Sequence, residues 1–177
     1  MAKRKPKALV IDADIAFAAG KTATSLRSIH CHEFLEAVRK RNFCVVMSSD
    51  IWQEWKKHMS NFSRKWLTQM TGRKRAVDVG TVKNTALRSK VRRTSPHPNP
   101  QKAMEKDCRL LEAALATDKI VFSLDENVRR LFYDAAVMVN EIRPIHWANP
   151  ELPQDDVIAW LSAGVPSEKK RQLGSTE

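Results

Sequence analysis

The stretch "ALVIDADIAF", residues 8–17, sets an apolar run, Ala8 to Ile11, directly before two carboxylates, Asp12 and Asp14. Four consecutive apolar residues without polar alternation read as a strand covered on both faces, the pattern of a parallel sheet packed between helices. A carboxylate at the mouth of such a strand loses hydration and has to be paired, neutralised or bound to a metal ion. Asp14 has an ordinary explanation as the cap of a helix starting at Ile15. Asp12 has none within its own segment, so its partners must come from elsewhere in the chain.

Working outward, "FCVVMS", 43–48, and "KIVFSLD", 119–125, read as two further buried strands, and Val137–Val139 as a short fourth. Helical spacing lies between them. Over 25–40 the apolar residues Leu26, Ile29, Phe34, Leu35 and Val38 recur at three- and four-residue steps. A long helix then opens at Asp50, with Gln53 completing a capping box, and carries Trp52, Trp55, Met59, Phe62 and Trp66 as a stripe expected to pack in the core. Further helices are expected from about Pro100 to Thr117, around 128–135 and within "DDVIAWLSAG", 155–164. Strands alternating with helices predict an α/β fold, a three-layer α/β/α sandwich around a central parallel sheet. Residues 1–150 are expected to form one domain, with 71–100 an exposed, irregular basic insertion. Residues 151–166 supply a closing helix of the same domain, and 167–177 a loose polar tail.

A net charge of +11 favours a polyanionic partner, most plainly nucleic acid. The charge is also localised. From Lys56 to Arg93 there are twelve basic residues and one acid, Asp78. Lys56, Lys57, Arg64, Lys65, Arg73, Lys74 and Arg75 are the expected contacts to a phosphate backbone. No apolar run approaches the roughly 20 residues that a membrane helix needs, so no membrane partner is expected. The opening "MAKRKPK" precedes no long apolar segment, and Cys31, Cys44 and Cys108 are odd in number and far apart. Both features predict a cytoplasmic protein with reduced thiols near its core. "HCH", 30–32, is not expected to bind zinc, because helix residues two apart face different sides.

The acids carry the chemistry. In a parallel sheet, ligands bind beyond the carboxyl ends of the strands, where Asp12 and Asp125 both fall. Asp107 lies on the apolar stripe of its helix with Met104, Cys108, Leu111 and Leu115, the wrong side for a solvated acid. Glu54 sits at the edge of the buried sector of its own helix. Four such carboxylates would repel one another, and no Lys or Arg falls at a position aimed between them. An oxygen-only set of this kind suits a hard divalent cation such as Mg²⁺ or Mn²⁺.

The order "VIDADI", "SSDIWQE", "KDCRLLEAAL", "VFSLDENV" resembles the PIN-domain nucleases, and in particular the VapC-type toxins, over most of residues 7–140. The resemblance implies that Asp12, Glu54, Asp107 and Asp125 are catalytic. Asp12, Asp107 and Asp125 would hold Mg²⁺ or Mn²⁺, with Ser123 as a supporting turn hydroxyl. Asn127 stands where many relatives carry another acid and is expected to support the site through its carbonyl. The implied activity is a metal-dependent endoribonuclease cutting single-stranded or structured RNA, the toxin of a toxin–antitoxin pair with a small antitoxin as partner and a homodimer as its assembly. Two other readings stay open: a catalytically weak PIN-fold module that only binds nucleic acid, and a structure-selective DNA nuclease.

Overall fold

The structure, a computed structural model, describes residues 5–20 and 25–175. Five strands form one all-parallel sheet: β1 (Ala8–Ile11), β2 (Cys44–Ser48), β3 (Ala76–Gly80), β4 (Ile120–Phe122) and β5 (His146–Ala148), in the order β3-β2-β1-β4-β5. β1 is central, pairing Ala8 with Cys44 on one side and Ile11 with Phe122 on the other, and all four of its residues are buried. The helices are α1 (Ala13–Ala18), α2 (Leu26–Lys40), α3 (Ser49–His58), α4 (Asn61–Gly72), α5 (Thr85–Arg92), α6 (Pro98–Leu115), α7 (Glu126–Ala135) and α8 (Val157–Ser162). α2, α4 and α8 cover one face, where Trp66 donates to the Leu35 carbonyl and Phe122 packs between Phe34 and Trp160. α5, α6 and α7 cover the other, completing the predicted three-layer α/β/α architecture. The chain moves outward from β1 through β2 to β3 and then returns to β4. The strand order therefore reverses between β1 and β4, the place where a parallel sheet opens a crevice at its carboxyl edge.

Several elements depart from the expectations. The long aromatic helix is two helices, broken at Met59, whose extended backbone leads to Ser60, the cap of α4. Ser48, not Asp50, caps α3, its hydroxyl accepting the Ile51 N–H. Trp55 and Trp66 are buried as the stripe requires, whereas Trp52 is 39% exposed. The span 71–100 is not an irregular insertion. It contains edge strand β3, paired with β2, and α5, which buries Leu87 and Val91 against the body of the protein. Val137–Val139 is no strand; Val137 and Met138 are exposed, and the outer strand is His146–Ala148. The tail after Pro166 is docked rather than loose as far as Ser175. His146 bridges to Gln172, Leu173 is buried, and Arg171 lies over the Trp160 ring. Residues 176 and 177 lie outside the described residues.

Candidate acidic site at the carboxyl edge

Asp12 follows the last residue of β1, and its backbone N–H still bonds to the Phe122 carbonyl at 2.9 Å, so the strand pairing itself fixes where its side chain starts. One carboxylate oxygen accepts the Ala13 N–H at 2.7 Å, which makes Asp12 the cap of α1. The other accepts from the Ser123 hydroxyl at 2.9 Å. Asp12 is 6% exposed, and burial pushes its carboxyl above the ordinary range despite the nearby Arg109.

Asp14 is therefore not a helix cap. It accepts the Leu124 N–H at 2.9 Å and lies 3.2 Å from the same Ser123 hydroxyl, which has one proton to share between two acids. Its second oxygen, Oδ1, is buried without a hydrogen-bond partner among the described residues. Burial, and then the charge of Asp12, push the Asp14 carboxyl up to about 8. Ser123 is fully buried and also accepts the Asp125 N–H at 3.2 Å, so one hydroxyl ties the ends of β1 and β4 together. Asp125 caps α7 through the Val128 N–H.

From the flanking helices come Glu54 and Asp107. The Trp55 indole donates to the Ile11 carbonyl at 2.9 Å, pinning α3 against the end of β1 and bringing the adjacent Glu54 to the same edge. Asp107 is 7% exposed; burial and the Asp12 charge push its carboxyl up to about 6, against the pull of Arg109. The Arg109 guanidinium stands 2.9 Å from Asp107 and 3.8 Å from Asp12. Burial works to raise the Glu54 carboxyl, but Arg109, Lys57 and His58 outweigh it and hold Glu54 below its ordinary value. All four predicted acids, together with Asp14, line one cleft of about 270 Å³, whose walls also include Phe17, His58, Lys106 and Arg109.

The other expected residues divide. Ser123 is at the site. Asn127 is exposed and lines a larger adjoining groove of about 690 Å³, not the acid cleft. Arg75 is withdrawn as a nucleic-acid contact: it is buried and donates to the Phe43 and Arg39 carbonyls, holding the start of the sheet. Lys57 pairs with Glu54 at 3.4 Å, and the Lys56 ammonium sits over the Trp52 ring. Arg64, Lys65, Arg73 and Lys74 are exposed on α4 and the turn after it. Sequence reasoning missed Asp14, His58, Lys106 and Arg109, and the expectation that no cation stands among the acids is corrected by Arg109. All three cysteines are buried and unpaired, and burial raises the Cys31 and Cys108 thiols to about 12, which leaves them inert.

No family model, curated protein or solved structure matches the chain. No helix among the described residues is long and apolar enough to cross a membrane. As metal donors, the cleft offers five carboxylates and the His58 imidazole, a mainly oxygen set that suits a hard divalent cation. In the present arrangement no three acidic, histidine or cysteine groups among the described residues are gathered closely enough to hold an ion, and Arg109 engages one oxygen of Asp107.

Proposed function

We propose that this protein is a metal-dependent endoribonuclease of PIN-domain type, cutting single-stranded or structured RNA in the cytoplasm. One observation carries the reading. Carboxylates from four separate segments line one cleft beyond the ends of β1 and β4, and two of them, Asp12 and Asp107, are buried with their carboxyls pushed above the ordinary range. Such under-compensated acids at a cleft are where a cation-dependent site is expected. Asp12, Asp107 and Asp125 would hold Mg²⁺ or Mn²⁺, which supplies positive charge at the scissile phosphate and lowers the pKa of a bound water. Arg109 has to give up Asp107 for that to happen. Glu54, held ionised, orients the attacking water and accepts its proton. Ser123 fixes the facing carboxylates of Asp12 and Asp14. Lys56, Lys57, Arg64, Lys65, Arg73 and Lys74 would contact the RNA backbone. A small antitoxin that covers the acid cleft, and a homodimer, complete the toxin form of this reading. The companion to look for is a small open reading frame beside the gene whose product suppresses cleavage.

The purified protein should cut single-stranded RNA with Mg²⁺ or Mn²⁺ and stop in EDTA or on Asp12→Asn. Cutting that survives both treatments removes the mechanism. DNA oligonucleotides run in parallel separate the ribonuclease from a structure-selective DNA nuclease. The Arg109–Asp107 pair favours a second reading, a PIN-fold module that binds nucleic acid without cutting it. That module binds RNA equally well with or without divalent ions and is indifferent to Glu54→Gln.

A further inference from the structure

We propose that the groove between α3 and α6, next to the acid cleft, is a subsite for the phosphate backbone of a single nucleic-acid strand, with Lys102, Lys106 and Arg109 as its cationic wall. The proposal rests on the nucleic-acid reading above and adds residues outside the basic stretch 56–93. The groove measures about 410 Å³, and it shares Glu54, Lys106 and Arg109 with the acid cleft, so the two form one continuous depression. Positions 102, 106 and 109 are four and three residues apart, which places all three cations on one stripe of α6.

Their charges are not equally committed. Arg88, on the same groove, is held by Glu112 and Asp50, and Arg109 by Asp107. Lys102 and Lys106 are exposed and form no ion pair among the described residues. A strand whose scissile phosphate enters the acid cleft brings its neighbouring phosphates with it, and the acids repel them. Two exposed ammonium groups at the cleft's rim, Lys102 and Lys106, supply the attraction that the acids deny. Lys106 already acts on Asp12 and Asp107, Glu105 shares the groove, and Arg109 links the two regions. Binding is ionic and sequence-independent, as expected for backbone contacts.

Fluorescence anisotropy with a labelled single-stranded RNA, in EDTA so that nothing is cut and across a range of NaCl, tests the assignment. The variant is Lys102→Glu/Lys106→Glu. The charge-matched control, Lys40→Glu/Lys119→Glu, changes exposed lysines at the end of α2 and the start of β4, at the sheet's amino edge. The α6 variant should lose at least about tenfold in affinity, with the slope of log K against log salt reduced by about 1.4, two phosphates at roughly 0.7 each. The control should lose less than about threefold. If wild type binds and the α6 variant matches it, or if the control weakens as much, the subsite is overturned while the nucleic-acid reading stands. If wild type binds neither RNA nor DNA even at low salt, both fall.

Discussion

Two buried acids on one helix behave in opposite ways. Glu112 and Asp107 both lie on α6 and are 4% and 7% exposed. Glu112 accepts from Arg88 Nε and Nη2, each at 2.7 Å, and from the Asn84 N–H at 2.8 Å, so three donors meet its two oxygens. Asp107 forms one ion pair among the described residues, with Arg109, which also reaches Asp12, and despite Arg109 and Lys106 nearby its carboxyl is pushed up to about 6. A buried charge is tolerated when its lone pairs are filled and is costly when they are not. The filled acid therefore marks architecture, joining α5 and α6. The unfilled one marks a place that gains from another cation.

The largest effect that bears on this contrast is on cleavage. If the protein is the proposed nuclease, Asp12→Asn should lower its RNA-cutting rate by about 10³-fold or more, as loss of a central catalytic group does, with circular dichroism unchanged. The asparagine oxygen can still accept the Ala13 N–H, and its amide nitrogen can donate to the Ser123 hydroxyl in place of accepting from it. Retained cutting would make the acid edge as structural as Glu112. The next effect is on stability. Glu112→Gln leaves Arg88 short of its buried counter-charge and should cost about 3 kcal/mol in urea unfolding. A loss under about 1 kcal/mol would erase the distinction from the architectural side.

The contrast was half legible in the sequence. The runs at 8–11, 44–48 and 120–122 are apolar because both faces of those strands are covered, and period alone finds them. β3 is an edge strand, half-exposed and flanked by Arg75 and Thr81, so no apolar run announces it. The break at Met59 leaves the aromatic spacing intact on both sides, which hides it from a periodicity argument. Asp107 is visible because it sits on its own helix's apolar stripe. Arg109 is not, since residues two apart on a helix point away from each other. Its long side chain curls back, donating to the Lys106 carbonyl while reaching Asp107. Asp14 looked like a cap because an Asp before Ile15 usually is one; only the fold shows that Asp12 took that role.

The remaining predictions are smaller and act through protons. The carboxyls of Asp14 and Asp107, ordinarily at 3.8, stand at about 8 and about 6 in the folded protein. The folded state thus keeps protons that the unfolded chain has released, and stability falls as pH rises from about 4 to about 8. The melting temperature of protein in EDTA should drop by roughly 5 °C between pH 5 and pH 9. Asp14→Asn should flatten the upper part of that fall, and a melting temperature that rises with pH would show that the acids are compensated after all. The smallest shift belongs to Asp107→Asn. It removes a charge whose burial is poorly repaid, so at pH 8 the variant should lie within about 1 kcal/mol of wild type, on either side. Arg109 keeps the Lys106 carbonyl and Asp12 as partners. A cost as large as that of Glu112→Gln would mean that the Asp107–Arg109 pair holds the fold together, and the two acids of α6 would then be alike.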